Sequence, residues 1–302
     1  MLQQLQLYYG EDFITGFDPD RKDHYKWFQT SSGERFGIQK SRLSEKEEQL
    51  LVALFANEIS GCIPFSGGSV TEKAWYNYLT GKEHPLPPDT LPVRFIYAEF
   101  SDSMDDKGSF GEAVNGFMEE APIVWLTSQA AVIVEKAPSG LMDMESITAL
   151  SSSLLSDLYI EPAFFIGQIH DSNERLKDKF LAEREIFNEL YSSSSKGRAA
   201  TFYEACPLFL TGNRYPLLRN AISDRLLDTL KEDELISTLK VFFSSNLNVS
   251  SASKALYMHR NSLQYRIDRF IERTGIDVKY FANALAVYLL ILYMENPLSP
   301  VK

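Results

Sequence analysis

The chain has 302 residues, of which 44% are hydrophobic and 24% are charged, and its formal net charge is −11 at pH 7. This length suits two or three domains with substantial cores, and the composition is that of a globular protein, which excludes a disordered chain. The acidic balance disfavours indiscriminate binding to nucleic acid over the whole surface.

The compartment is predicted from what the chain lacks. The N-terminal residues have neither the basic region nor the apolar run of a secretory signal peptide. The longest apolar stretch, Tyr280 to Met294, contains Asn283 and is shorter than the roughly 20 residues that span a bilayer. Cys62 and Cys206 lie far apart, so neither a disulfide framework nor a zinc site is predicted. We therefore expect a cytoplasmic protein without a membrane partner.

The first part of the chain, residues 1–90, is predicted to be an α+β region, and its sequence indicates no role. Two short strands, Tyr25–Thr30 and Arg35–Gln39, flank a turn that contains Gly33. A helix then begins with a capping box and has one apolar face; the residues involved are Ser44 and Glu47 in the box, Leu50, Leu51, Leu54, Phe55 and Ile59 on the face, and Gly61 at the C-cap. A further helix, Thr71 to Leu79, ends at Gly81, and a linker containing Pro85, Pro87, Pro88 and Pro92 follows.

The second part, residues 91–212, alternates strands with helices and includes one hairpin. The predicted order is strand Val93–Phe100, helix Phe110–Glu119, strands Ile123–Thr127 and Ala131–Lys136, helix Met144–Leu158, strand Ala163–Ile169 and helix Ser172–Tyr191. This order indicates an α/β sandwich of ferredoxin or nucleotide-cyclase shape. The serine run Ser192–Ser195 is interpreted as a flexible connection.

A metal-dependent cyclase would need carboxylates on the first strand and on the hairpin. The first strand and its loop offer Glu99, Asp102, Asp105 and Asp106, but the hairpin turn Thr127–Ala130 contains no acid. We interpret the aspartates as a solvated loop, so no catalytic residue, metal site or cofactor is predicted. His24, His84 and His170 are isolated in the sequence, and His170 is interpreted as a polar loop residue at a strand end.

The third part, residues 213–302, is predicted to be a helical connector followed by an all-α helix-turn-helix domain. A supporting helix, Asp233–Asn246, places Leu235, Ile236, Leu239, Phe242 and Phe243 inward. Ser250 or Ser251 then caps a short helix with Ala252, Ala255 and Leu256 on one side. After the turn Tyr257–His259, a second helix places Leu263, Ile267, Phe270 and Ile271 on one apolar stripe.

The opposite side of that helix carries the residue types that contact base edges and phosphates. From Lys254 to Arg273 there are five Lys and Arg residues against two acids, although the chain as a whole is acidic. A surface helix without a nucleic-acid partner would share the acidity of its surroundings. The predicted DNA-binding residues are Lys254, His259, Arg260, Asn261, Ser262, Gln264, Tyr265, Arg266 and Arg269.

Residues 248–267, with the core His-Arg-Asn-Ser-Leu-Gln-Tyr-Arg at His259–Arg266, resemble the C-terminal domain of PucR/CdaR-type bacterial transcription regulators. Ser262 stands where that family usually has Thr, and Ser253 where it usually has Ala. The resemblance implies a degenerate GGDEF-like domain before the helix-turn-helix, and control of catabolic genes in response to a small metabolite.

We therefore expect a non-enzymatic transcription regulator that binds double-stranded operator DNA, forms a homodimer or higher homo-oligomer and responds to a small-molecule effector. Two alternatives stay open. One is a nucleotide-binding or nucleotide-cyclising enzyme with an accessory DNA-binding tail, and the other is an interaction protein whose helix-turn-helix has lost DNA binding. The sequence identifies neither the effector nor the operator, nor whether the response is activation or repression.

Overall fold

The computed structural model describes residues 2–15, 24–29, 35–54, 68–81, 85–87, 91–118, 121–137, 141–192, 199–210 and 214–295. The chain divides into two compact units, Met1–Pro64 and Phe65–Lys302. The expected mixed α/β class is confirmed, because the described residues form two sheets and many helices. The three-part division with boundaries at residues 90 and 212 stays a prediction.

The smaller unit is built on a three-stranded antiparallel sheet. Its elements are α1 (Leu2–Tyr9), β1 (Phe13–Thr15), β2 (Tyr25–Gln29), β3 (Arg35–Gln39) and α2 (Glu45–Leu54). The strand order is β1-β3-β2, so the predicted hairpin is confirmed and a third strand joins it. Aromatic side chains fill the core, where Phe36 stacks between Phe13 and Phe28 with ring centroids 5.3 Å apart on each side.

Helix α2 begins with the predicted capping box. The Ser44 backbone N–H donates to Glu47 Oε2 (2.9 Å), and the Glu47 backbone N–H donates to Ser44 Oγ (3.3 Å). Leu51 is buried, but Leu50 is 58% exposed, so the prediction that Leu50 faces the core is wrong. The apolar stripe of this ten-residue helix is therefore narrower than the predicted one. Phe55, Ile59 and Gly61 lie outside the described residues.

The larger unit contains a five-stranded sheet. Its strands are β4 (Val93–Glu99), β5 (Ile123–Trp125), β6 (Ala130–Lys136), β7 (Ala163–His170) and β8 (Ala199–Thr201), in the order β5-β6-β4-β7-β8. The first four pair antiparallel, and β8 pairs parallel with β7. The first four strands were predicted; β8 was not, because three small residues after a polar run carry no alternating pattern.

Helices cover both faces of this sheet. Alternate residues of β4 point to opposite faces, so Ile96 and Ala98 pack with α4 (Lys107–Asn115) and α5 (Met144–Leu158), while Phe95 and Tyr97 pack with α3 (Val70–Thr80) and α6 (Leu176–Ser192). Helix α5 has the predicted bounds. Helix α6 begins four residues later than predicted, after the turn Asp171–Arg175. The likeness to a nucleotide cyclase stays a prediction, and Ser193–Ser195 lie outside the described residues.

Seven helices follow in the described part of residues 199–295. They are α7 (Phe202–Phe209), α8 (Tyr215–Ala221), α9 (Asp224–Thr229), α10 (Asp233–Ser244), α11 (Val249–Ala255), α12 (Arg260–Thr274) and α13 (Phe281–Glu295). The predicted apolar helix corresponds to α13, which packs on α7 and α10. Its apolar surface is thus covered largely by the same chain and does not by itself require a second subunit. No helix among the described residues combines the length and the apolarity needed to cross a bilayer.

A buried polar network joins the sheet to the C-terminal helices. Both Gln168 in β7 and Glu183 in α6 are buried, and Glu183 Oε1 accepts from the Gln168 backbone N–H (2.9 Å) and side-chain amide (3.1 Å). Gln168 also donates to the Ala221 carbonyl (3.0 Å) and accepts from the Ser223 backbone N–H (3.0 Å). These polar groups can be buried without a large loss of stability because each has a hydrogen-bond partner.

His170 belongs to the same network, so its interpretation as an isolated loop residue is wrong. It is the last residue of β7, is 2% exposed, and its Nε2 lies 2.9 Å from Glu183 Oε1. The partner is thirteen residues away in the sequence, on the next helix, and no local spacing pattern reveals it. His84 lies outside the described residues.

Candidate DNA-binding surface

Helices α10, α11 and α12 form the predicted helix-turn-helix core. Asn248 caps α11, with its side-chain oxygen accepting from the Ser251 backbone N–H (2.9 Å). The prediction that Ser250 or Ser251 is the cap is therefore wrong, because the helix begins earlier, at Val249. Ala252 is fully buried and Ser253 nearly so, which lets the neighbouring helices approach α11 closely.

The turn between α11 and α12 contains a residue that the sequence did not single out. Tyr257 has a φ of 53°, in the left-handed region that disfavours residues other than glycine, and its side chain is 98% exposed. Tyr257 thus occupies the left-handed position that glycine often occupies at the end of a helix, and the next backbone N–H, of Met258, donates to the Ser253 carbonyl (3.0 Å). The aromatic ring of Tyr257 is free to contact a partner.

Helix α12 is anchored by an apolar stripe close to the predicted one. Leu263, Ile267 and Phe270 are fully buried, and Thr274 is buried one turn further on. Ile271 is only half-buried, so the stripe follows the i, i+4, i+7 positions and runs on to Thr274 instead of widening at Ile271. His259 caps the helix through Nδ1, which accepts from the Asn261 backbone N–H (3.2 Å). The other ring nitrogen, Nε2, then carries the proton and points outward as a donor.

The predicted site residues fall into two groups. Seven side chains are exposed, and two are half-buried with polar partners in the same chain. The exposed group is Lys254, His259, Arg260, Asn261, Ser262, Tyr265 and Arg269; the half-buried pair is Gln264 and Arg266. Within the described part of the chain, Lys254, Arg260 and Arg269 have no ion-pair partner.

Arg266 contacts the supporting helix. Its Nη2 lies 2.5 Å from Glu234 Oε1, and its Nη1 donates to Thr238 Oγ1 (3.2 Å). Arg273, two turns along α12, pairs with Glu232 in the same way (2.6 Å). These two arginines thus tie α12 to the start of α10 in the free protein.

Gln264 is held on the outer side of α12. Its amide donates to Asp268 Oδ1 (2.8 Å), and Lys279 Nζ lies 2.9 Å from the same oxygen. The hydrogen bond from Lys279 keeps the pKa of Asp268 below its usual value. Asp268 is therefore ionised near neutral pH and fixes the orientation of Gln264.

One surface depression of about 500 Å³ collects the exposed polar residues of α12 together with the two glutamates. Asn261, Ser262, Tyr265 and Arg269 line one side, and Glu232 and Glu234 line the other. We call this depression and its rim the α12 face. Carboxylates and guanidinium groups share one small surface there, and this mixture was not apparent from the charge of α12 alone.

A glycine sets how closely the helix-turn-helix approaches the sheet. Gly275 ends α12 with a φ of 74°, and its N–H donates to the Ile271 carbonyl (2.7 Å). A Cβ at this position would lie 3.2 Å from Ile169 Cγ1 in β7 and closer still to Cδ1. Glycine is therefore required both by the backbone conformation and by this contact.

Comparison with known proteins agrees with this geometry. Residues 235–292 match the family described as the PucR C-terminal helix-turn-helix domain. The chain is 30% identical over 272 residues to the uncharacterized protein YxkF of Bacillus subtilis, covering 89% of this chain and 91% of YxkF. Over shorter stretches it is similar to the carbohydrate diacid regulator of Escherichia coli (39% over 64 residues, 21% of this chain and 17% of the regulator) and to the proline-responsive transcriptional activator PutR of B. subtilis (32% over 69 residues, 23% and 17%).

The fold and the match together define a DNA-binding transcription regulator of the helix-turn-helix class. Within that class, the chain belongs to the PucR family. The similarity to the two regulators covers 21% and 23% of this chain, whereas the similarity to YxkF extends over 89% of it.

Proposed function

We propose that the α12 face binds the major groove of operator DNA. The main observation is that α12 has two different sides. One side is apolar and fully buried, with Leu263, Ile267 and Phe270, and the opposite side exposes Asn261 and Arg269 to solvent. An exposed amide and an exposed guanidinium have the donor and acceptor pattern that reads adenine and guanine edges. A helix of this kind supported by a second helix is how helix-turn-helix proteins place side chains in the groove.

The exposed residues receive different roles in this proposal. Arg260, Asn261, Ser262, Tyr265 and Arg269 lie on or beside the α12 face and are proposed to contact bases or the phosphates that flank them. Lys254 on α11 and the Nε2–H of His259 are proposed to donate to backbone phosphates, which fixes the register of the helix on the duplex. Tyr257 joins this group because its exposed hydroxyl has the same donor capacity.

Gln264 and Arg266 were predicted to contact DNA directly. Because Gln264 is held by Asp268 and Arg266 by Glu234 and Thr238, we propose that both act mainly by fixing neighbouring parts of α12. Substituting them should then lower stability as well as affinity, whereas substituting Asn261 should lower affinity alone.

The test begins by selecting bound sequences from fragmented genomic DNA. The recovered operator is then titrated with Asn261→Ala, Arg269→Ala and, as the matched control, Arg219→Ala, which removes an exposed arginine from α8. We expect the first two to weaken operator binding by about 1–3 kcal/mol if the side chains meet base edges. Unchanged affinity in properly folded Asn261→Ala and Arg269→Ala proteins, equal to that of Arg219→Ala, would refute the proposal.

We further propose that the protein controls catabolic genes in response to a small metabolite. The names of two relatives support a metabolite response, since one is a regulator of carbohydrate diacids and the other a proline-responsive activator. Those relatives match less than a quarter of this chain, so the chemical nature of the effector does not transfer. Genes that flank the selected operators would identify the pathway, and metabolites of that pathway can be tested for a shift in operator affinity.

We also propose that the larger unit has no cyclase activity. The hairpin turn between β5 and β6 offers Thr127, Ser128 and Gln129 where a metal clamp needs an acid. Asp106 is engaged in capping α4 through the Ser109 N–H (3.0 Å), and burial raises the pKa of Glu99 to about 7. Among the described residues, no three His, Cys, Asp or Glu side chains are grouped to hold a metal ion. Cyclic product formed from nucleoside triphosphates with Mg²⁺ or Mn²⁺, above a no-protein control, would overturn this proposal.

A further inference from the structure

The α12 face contains two carboxylates where a DNA-binding surface is expected to be cationic. Glu232 is the residue before α10 and Glu234 lies in its first turn, and both line the depression that contains Asn261 and Arg269. Glu234 is 78% exposed even though it pairs with Arg266, and the Glu232 side chain is 51% exposed beside Arg273. Carboxylates so placed would face the phosphates of a duplex bound to α12.

We propose that Glu232 and Glu234 are specificity-determining residues that hold Arg266 and Arg273 away from phosphates and so weaken binding to DNA that lacks the operator sequence. This inference rests on the proposed function of the α12 face.

The two ion pairs are weak enough for a DNA phosphate to displace the glutamate. Both arginines are about one-third exposed, so water screens each ion pair and a phosphate in the right position can replace the glutamate. Thr238 Oγ1, which is nearly buried, keeps one nitrogen of Arg266 in place during the exchange. A duplex that fits the α12 face is held by base contacts and leaves both arginines paired with their glutamates, whereas a duplex that does not fit is held by phosphates alone and must take the arginines from the glutamates.

The salt dependence of binding follows from the same exchange. A phosphate that pairs with a free arginine releases its counterion, and each such contact steepens the dependence of log K on log salt by about 0.9. When the arginine must first leave a glutamate, the freed carboxylate recruits a cation from solution, which cancels part of that release. Removing the carboxylate should therefore raise affinity and steepen the salt dependence together.

The test uses the full chain with Glu232→Gln, Glu234→Gln and the double variant. Glu189→Gln is the matched control, because Glu189 also pairs with an arginine, Arg214 at 3.3 Å, but lies on α6. Binding of a fluorescently labelled 30-base-pair duplex of random sequence is measured by anisotropy at a series of KCl concentrations. The operator recovered by selection is titrated in parallel.

We expect each α10 variant to bind the random duplex about two- to fivefold more tightly than the wild type, the factor that corresponds to one surface ion pair. The salt dependence should steepen by up to about one unit for each glutamate removed. Operator affinity should rise less, so that the ratio of operator to random affinity falls. Glu189→Gln should leave all three quantities close to their wild-type values.

Two results would overturn the inference. One is a double variant whose affinity and salt slope for the random duplex equal those of Glu189→Gln, and the other is a gain that is equal for operator and random duplex. Asn261→Ala separates this failure from failure of the proposed function. If Asn261→Ala weakens operator binding while the glutamate variants have no effect, only the inference fails. If neither Asn261→Ala nor Arg269→Ala affects operator binding, the assignment of the α12 face fails.

Discussion

Glu183 offers the strongest single test of how the larger unit is held together. Its carboxylate is fully buried and accepts from the Gln168 backbone N–H, the Gln168 amide and His170 Nε2. It also lies 3.2 Å from the Tyr97 hydroxyl, whose single proton is shared with the Phe180 carbonyl at 3.0 Å. In Glu183→Ala, Gln168 keeps its bond to the Ala221 carbonyl and Tyr97 keeps its bond to the Phe180 carbonyl. The Gln168 backbone N–H and His170 Nε2 lose their acceptor.

The expected loss follows from those two donors. Each buried donor left without a partner costs about 1–3 kcal/mol, and removing one member of a buried polar pair costs about 3–5 kcal/mol. We therefore expect Glu183→Ala to lower the free energy of unfolding by about 3–5 kcal/mol, a large share of the roughly 5–15 kcal/mol that stabilises an ordinary domain.

Glu183→Gln is the informative companion. A glutamine carbonyl in place of Oε1 still accepts from Gln168 and His170, and its amide can donate to Tyr97, whose hydroxyl still donates to Phe180. We expect a loss of about 1 kcal/mol, near the value of one ordinary hydrogen bond. Urea unfolding followed by fluorescence and circular dichroism measures both variants. A Glu183→Ala protein within about 1 kcal/mol of the wild type would refute the reasoning, because it would mean that these donors find water or other partners.

Four further predictions concern other parts of the molecule. Gly167→Ala should destabilise the larger unit by at least about 1–3 kcal/mol in urea unfolding, because the new Cβ would lie 2.9 Å from the Phe95 carbonyl and closer still to the Glu183 carboxylate. Ile267→Asp should abolish the thermal transition of the helix-turn-helix, since it forces a carboxylate into the core; a normal melt would contradict this. Glu99→Gln should stabilise the protein by about 1–3 kcal/mol at pH 8 and not at pH 4. Burial raises the pKa of Glu99 to about 7, so the ionised carboxylate is disfavoured in the folded state only. The wild type therefore loses stability as the pH rises from about 4.5 to 7. Light scattering should give a molar mass above the 34.3 kDa of one chain, because Phe281 and Met294 of α13 are exposed and apolar. A mass of one chain at micromolar concentration would exclude the dimer.

The helix-turn-helix was predictable because its determinants are local. Leu263, Ile267 and Phe270 recur at helical spacing, and the cations of α12 occupy the remaining positions, so a sequence window of about twenty residues contains the whole argument. The start of α11 was misplaced for a local reason as well. Asn248 and Ser250 are both good N-caps, and only the backbone shows which one has the extended conformation that a cap requires.

The buried polar network and the acids of the α12 face were not predictable because they depend on residues distant in sequence. Glu183 meets His170 across a helix and a strand, and Glu234 meets Arg266 across two helices. A glutamate in a helical stretch is usually solvated, so neither pairing has a sequence signal. Charge counted along the chain places Glu232 and Glu234 outside the basic segment, although in the fold they border it.

These long-range contacts bear on how a signal could reach the DNA-binding surface. Contacts between the C-terminal helices and the sheet with its covering helices include Gly275 against Ile169, α13 against α7, and Ser223 within the polar network. A ligand changes DNA binding only if it favours one of two arrangements of these contacts, because equal affinity for both shifts nothing. A buried hydrogen bond is either made or broken, so it distinguishes sharply between two arrangements. The hydrogen bonds that Gln168 makes with Ala221 and Ser223 are therefore the contacts at which two discrete arrangements would differ most. Glu183→Gln is expected to loosen this network and to keep the fold. Its operator affinity is therefore the first measurement of an effect on DNA binding that comes from the sheet side.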